Sequence, residues 1–182
     1  MPTITFATGN EGKLSEARQQ LEPLGFEIDA YGGGYPEIQA DTLEAVARFG
    51  LETLAGEVPE PFLLEDAGLF VDALEGFPGV YSSYVFGTLG NEGILSLLAD
   101  TEDPSARFRS VIGFRVDGEE HTFVGEVEGT ITEQARGSAG FGFDPIFQPR
   151  EAERTFAEMS PEEKIELSHR SRALARLREH LA

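Results

Sequence analysis

The chain has 182 residues, enough for one α/β domain with a full core or for two small lobes. It has no cysteine and a formal net charge of −19, which excludes disulfides and thiolate metal sites and argues against a protein that tracks a phosphate backbone. No apolar run approaches the ~20 residues that cross a bilayer, and MPTITFATGN enters a strand pattern without a basic leader, so a cytoplasmic protein without membrane or nucleic-acid partners is expected.

The kind of charge carries more information than the sum. Twelve of the cations are arginines and only Lys13 and Lys164 are lysines. A surface rich in Asp and Glu and nearly free of Lys suits high salt, where screening weakens self-repulsion. Lysines this scarce are expected to serve a purpose other than solubility.

Thr3 to Thr8 alternates as a strand, followed by the glycine turn Thr8-Gly9-Asn10-Glu11-Gly12-Lys13 and a helix carrying Leu14, Ala17, Leu21 and Leu24. Such a turn offers backbone N–H groups and a positive dipole end to an anion, with Lys13 as a point charge. It also fits an ordinary βα turn. It is not a Walker loop, because the glycines stand too close and Leu14 replaces the magnesium-binding hydroxyl. Phe26 to Tyr31 reads as a second strand, a hairpin or neighbour of the first. After the connector Gly32-Gly33-Gly34, Tyr35-Pro36-Glu37-Ile38-Gln39 is extended. Asp41 or Thr42 caps a helix carrying Leu43, Val46, Ala47, Leu51 and Leu54.

Phe62, Leu63 and Leu64 form a short buried strand that delivers Glu65 and Asp66 at its end, before Ala67 and Gly68. A carboxylate inside an apolar run is costly unless a cation, a metal or several donors meet it. Two readings stand: the acids serve a metal or a water, or they end the strand and face solvent. Ile94 to Leu98 suggests a helix stopping near Asp100. Ala106 to Val116 and His121 to Ile131 form a hairpin about Asp117-Gly118, with His121 at the surface. The mobile turn Gly137-Ser138-Ala139-Gly140 leads into Phe141-Gly142-Phe143-Asp144, which fits either a planar ring stacked between aromatics with its edge bonded, or a core aromatic pair.

Ser160-Pro161-Glu162-Glu163 is a helix start with Glu163 at the capping-box position. Lys164 follows in the first turn, where the dipole disfavours a cation, which points to a partner such as phosphate. Arg170 falls on the apolar stripe of Leu167, Leu174, Leu177 and Leu181 beside His169. Either it reaches an anion or a carbonyl, or Ser168 caps a fresh helix. His180 reads as surface. Lysines at a helix start, carboxylates that suit magnesium, and aromatics near Asp, His and Arg suit a nucleoside triphosphate hydrolase.

Five segments then carry a family resemblance: TGNEGK at 8–13, YPEIQ at 35–39, LEDAGLFVDALEGFPGVYSSYV at 64–85, GFGFDPIF at 140–147 and FAEMSPEEKIELSHR at 156–170. In order and spacing the chain resembles the inosine triphosphate pyrophosphatase (Ham1-like) family, its archaeal branch most. The resemblance implies an α/β fold, a long twisted mixed sheet with flanking helices forming two lobes about a central cleft, and a homodimer. It implies hydrolysis of ITP, dITP and XTP to the monophosphate and pyrophosphate. By position it implies that Thr8, Gly9, Asn10, Glu11, Gly12 and Lys13 hold the phosphates and that Glu37 and Asp66 bind Mg2+. Asp66 also orients or deprotonates the attacking water, Phe141, Gly142, Phe143 and Asp144 hold the base and sugar side, Lys164 contacts phosphate, and His169 with Arg170 reads the base. Three departures stand out: Ala67 at a substrate-binding position usually held by Ser, Phe143 for Tyr or Trp, and no lysine on the helix after Thr42, around Gly50. A Maf-like nucleotide pyrophosphatase, disfavoured by Ser168-His169-Arg170, and a non-hydrolysing nucleotide-binding regulator are the alternatives.

Overall fold

A computed structural model describes all residues from Met1 to Ala182. In chain order the elements are β1 (Thr3–Ala7), α1 (Glu11–Leu21), β2 (Glu27–Tyr31), α2 (Leu43–Leu54), β3 (Phe62–Val71), α3 (Ser82–Thr88), α4 (Gly90–Leu97), β4 (Ser105–Val116), β5 (Glu119–Ile131), β6 (Phe147–Pro149), α5 (Pro161–Leu167) and α6 (His169–Leu181). The strands form one six-stranded mixed sheet, ordered β2-β1-β3-β4-β5-β6. β1 pairs in parallel with β2 and β3, while β6 runs antiparallel to β5. The chain divides into two compact units, Met1–Asp66 with Ser110–Gly125 and Arg170–Ala182, and Ala67–Arg109 with Glu126–His169.

The first unit packs Ile4 and Phe6 of β1, Ile28 of β2, Leu63 of β3 and Ile112 and Phe114 of β4 against Leu14, Ala17 and Leu21 of α1 and Ala173, Leu174 and Leu177 of α6. The i, i+3, i+7 spacing on α1 makes a single apolar stripe, and each large side chain so buried stabilises the unit by about 1.5–3 kcal/mol. β2 is a parallel neighbour of β1 and not its hairpin partner, because the whole of α1 crosses between them. Thr42, not Asp41, caps α2 by accepting from the Ala45 N–H at 3.2 Å. At Gly50 a Cβ would come within 2.7 Å of Leu64 and 2.8 Å of Tyr35, so a side chain there would push α2 off β3. Asp117 and Gly118 both take positive φ, 50° and 78°, as the hairpin turn requires. His180 is exposed, as expected, and His121 is half-buried beside it. Their rings lie 4.4 Å apart, and His180 also meets Phe123 and Phe114.

The second unit has its own core, from Leu69 and Val71 of β3, Phe108 of β4, Val127 and Ile131 of β5, Val85, Ile94, Ile146, Phe147 and Phe156. Ser160 caps α5 by accepting from the Glu163 N–H at 3.2 Å, but the Glu163 carboxylate turns to Arg154 at 2.7 Å. The reciprocal capping box forms one motif earlier, between Thr155 and Glu158. The Gly137–Gly140 turn, expected to be mobile, is tied down where Ala139 N–H donates to the Ala157 carbonyl at 2.9 Å.

Candidate active site

In the first unit, β1 delivers the glycine turn to the start of α1. Thr8 Oγ1 accepts from Asn10 N–H at 3.1 Å, and Asn10 Oδ1 caps the helix by accepting from Lys13 N–H at 3.1 Å. The Asn10 side chain is thus committed to shaping the turn, while Glu11, Gly12 and Lys13 form the first turn of a helix whose dipole favours an anion. The Lys13 side chain leans back onto β3, with Nζ 3.1 Å from Glu65 Oε2 and 3.4 Å from the Glu65 carbonyl.

β3 runs past the acid pair to Val71, so Glu65 and Asp66 lie mid-strand and do not end it. Both are buried, with 3 % and 7 % of their surface exposed, which overturns the solvent-facing reading. Neighbours on a strand project to opposite faces, so the two carboxylates have separate surroundings. Glu65 is the centre of a charged cluster. Its Oε1 accepts from Ser110 Oγ at 2.9 Å, and its Oε2 accepts from Arg170 Nε at 3.0 Å. Arg170 Nη1 donates to Glu16 Oε2 at 2.7 Å. Burial alone would lower the Arg170 pKa, but the charges of Glu65 and Glu16 outweigh it and raise it. Arg170 lies in the first turn of the separate helix α6, with Ser168 closing α5, so the stripe through Leu167 and Leu174 is not continuous.

Tyr35 reports on the remaining carboxylates. Its hydroxyl donates to the Glu65 carbonyl at 3.1 Å. Burial, then the charges of Asp66, Glu37 and Glu65, push its pKa far above the ordinary tyrosine value. Asp66 and the exposed Glu37 therefore act on one locality. The raised value means the neutral phenol contributes stability that is intact below about pH 10 and lost as pH climbs toward the folded value. An alkaline titration followed at 295 nm should lack the Tyr35 transition until the fold is lost, and Tyr35→Phe should delete only that late step. Ionisation of all four tyrosines in one early transition would contradict this environment.

In the second unit, Asp144 Oδ2 accepts from the Phe141 N–H at 3.0 Å and from Lys164 Nζ at 2.8 Å. The partner of Lys164 is thus a buried carboxylate, and its ammonium also sits 4.5 Å from the centre of the Phe141 ring. Phe143 belongs to the core, edge-on to Phe86 at 5.4 Å, whereas Phe141 and Gly142 are half-buried. His169 is buried and stacks on Phe108, with centroids 4.6 Å apart and planes 13° apart. Ala67, on β3, is half-buried. One nearby hydroxyl comes from elsewhere: Ser82 Oγ accepts from Leu69 N–H at 2.9 Å and donates to the Gly79 carbonyl at 2.6 Å.

Sequence reasoning missed Glu16, Ser110 and Tyr35 and left Glu65 without a role. Tyr35 had a signal in its place within the YPEIQ segment, whereas the partner of Glu16, Arg170, lies 154 residues away. Ser110 comes from a distant strand, and nothing local announces it.

No three imidazole or carboxylate side chains converge to hold a metal on their own. Glu37 and Asp66 still fit Mg2+, which is usually held by one or two carboxylates together with substrate phosphates. Both supply hard oxygen donors, and both add negative charge at Tyr35 that a divalent cation would offset.

A mixed sheet, a lysine-bearing helix start and buried carboxylates make an α/β protein with a site suited to a phosphate-bearing ligand. The chain belongs to the Ham1 family, whose model matches residues 4–180. It is 56% identical over 171 residues to a dITP/XTP pyrophosphatase of Thermococcus kodakarensis, covering 94% of this chain and 92% of that one. A dITP/XTP pyrophosphatase of Pyrococcus horikoshii is 54% identical over the same shares. Among solved structures, a HAM1 protein from Coxiella burnetii superposes with a TM-score of 0.88 at 32% identity, covering 100% of this chain and 98% of that one. The Staphylococcus aureus Ham1 protein gives 0.85 at 30% identity, covering 98% and 97%.

Proposed function

We propose that this chain hydrolyses the deaminated purine nucleoside triphosphates ITP, dITP and XTP to the nucleoside monophosphate and pyrophosphate, removing them from the nucleotide pool. The observation that carries this reading is the 56% identity, over 94% of the chain, to a protein named for acting on dITP and XTP. The start of α1 and Lys13 take the phosphates. Asp66, buried on β3, holds the attacking water and accepts its proton as oxygen attacks the α-phosphorus and the bond to the β-phosphate oxygen breaks. Mg2+ held by Glu37 and Asp66 would neutralise phosphate charge. Lys164 and Asp144 shape the base and sugar side with Phe141, and His169 and Arg170 address the purine edge. Arg170 is held by Glu16 through Nη1 and by Glu65 through Nε, and a purine 6-oxo group would accept from one of its remaining N–H groups. Adenine presents an amine there and cannot accept the bond.

Phosphorus NMR of the products from ITP, XTP, ATP and GTP with magnesium tests the reaction. Pyrophosphate from ITP and XTP, with ATP and GTP largely untouched, is expected. Orthophosphate would place attack at the terminal phosphate and refute the mechanism, and binding without turnover would leave a regulator. Activity confined to multimolar potassium chloride would support the high-salt origin of the acidic surface.

The reading includes a homodimer. Six large apolar side chains stay exposed between residues 77 and 97, among them Tyr84 at 74% and Leu97 at 50%. Residues 76–99 carry one charge, Glu92, in a chain that is 26% charged. Two copies each at −19 repel least across a segment nearly free of carboxylates, so this segment suits a second copy. Light scattering should give twice the chain mass of 19.8 kDa, falling to the single-chain mass in Tyr84→Glu. An unchanged mass in that variant would remove this segment from the interface.

A further inference from the structure

We propose that Glu65 is an internal competitor for Lys13, one that a polyphosphate displaces and a monophosphate does not, so that Glu65 sets how tightly substrate and products are held. The inference rests on the reading that Lys13 meets phosphate.

Glu65 Oε2 holds two cations, Arg170 Nε at 3.0 Å and Lys13 Nζ at 3.1 Å. They are not equally held. Arg170 is a planar fork gripped by two carboxylates, Glu65 and Glu16, and its side chain is 3% exposed. Lys13 is a point charge on a flexible stem, bound to Glu65 alone among the charged groups named here, and its side chain is 20% exposed. Of the two, Lys13 is the cation able to exchange partners. The carboxylate it leaves is not orphaned: Ser110 Oγ at 2.9 Å and the Arg170 fork still satisfy it. Removing Lys13 changes the cluster from two cations and two carboxylates to one cation and two carboxylates. That tightens the hold on Arg170 and sets a definite cost on the exchange.

An incoming ligand must therefore outbid a carboxylate and a carbonyl at the same ammonium. A triphosphate chain carries roughly four negative charges and reaches both Lys13 and the first turn of α1. A monophosphate carries about two and is the weaker competitor. Cleavage divides the charge between two fragments, Lys13 returns to Glu65, and the grip on both products weakens. Glu65 thus acts through Lys13 as a positioning residue, and Ser110 orients it.

The test is calorimetric binding of inorganic tripolyphosphate, pyrophosphate and inosine monophosphate to wild type and Glu65→Gln. The variant should bind tripolyphosphate about tenfold more tightly, in line with losing one charge-assisted partner of the ammonium, and inosine monophosphate, which does not displace Glu65 in wild type, by a smaller factor. The tripolyphosphate-to-monophosphate affinity ratio should rise, because the full cost of displacing Glu65 falls on the ligand that displaces it, while product inhibition should deepen and kcat and KM for ITP should fall together. A residue that only supports the fold would not tighten binding, so unchanged or weaker binding in a folded variant overturns the proposal. A second measurement needs no altered Glu65. With only two lysines in the chain, 13C-labelled lysine resolves two side-chain signals, assigned with Lys13→Arg. Tripolyphosphate should move the Lys13 signal, and inosine monophosphate at equal occupancy should leave it in place. Equal movement by both overturns the competitor role. No movement with ITP still turned over overturns this inference alone, and no movement without turnover overturns the proposed function as well.

Discussion

Asp66→Asn should lower kcat for ITP by about 10³-fold while the folded content and the nucleotide affinity stay close to wild type. Asp66 is buried in the middle of β3, where Asn matches its shape and removes only its charge and basicity. The strand is anchored on either side, by Leu63 in one core and by Leu69 and Val71 in the other, so the substitution has little leverage on folding. An internal check comes from Tyr35. Asp66 is the largest charge raising its pKa, so Asn at 66 should bring the late tyrosine transition to lower pH. Steady-state kinetics and the 295 nm titration on one preparation separate the outcomes. If the tyrosine step moves and kcat stays within tenfold of wild type, Asp66 shapes the field but is not the base.

Lys164→Met should destabilise the protein by about 3–5 kcal/mol in urea. The ion pair with Asp144 is 2.8 Å long with side chains only 6% and 4% exposed. Removing the cation leaves a carboxylate that water cannot reach and that retains the Phe141 N–H. Methionine replaces the stem's packing, so the loss reports on charge and not on volume. The double variant Lys164→Met with Asp144→Asn should regain most of the loss, because the buried charge is gone and the amide oxygen still accepts from Phe141. Additive losses would show that the two side chains are held by other partners and do not depend on each other.

The helix starts show how far local reading extends. Ser160 before Pro161 and Thr42 before Leu43 both cap as expected, because capping involves only the next three residues. The capping box did not follow the same logic: Glu163 had Arg154 within reach and left the reciprocal bond to Thr155 and Glu158. The Asp117-Gly118 turn was legible because two successive positive φ values narrow the choice of residues. The parallel course of β2 was not, since a strand carries no local mark of which neighbour it will find.

Although the chain alone left Glu65 and Asp66 open between a buried and a solvent-facing role, it did show the alternation of strands and helices and the resemblance to the family. Those follow from periodicity, turn chemistry and the spacing of five motifs. Only the tertiary structure decided what each buried charge meets. Glu65 gained Lys13, Ser110 and Arg170 from elements 52, 45 and 105 residues away, and Lys164 turned to Asp144. A buried charge must find its counter-charge, but the chain does not specify locally which one, because that choice depends on the sheet order and helix packing that bring remote segments together.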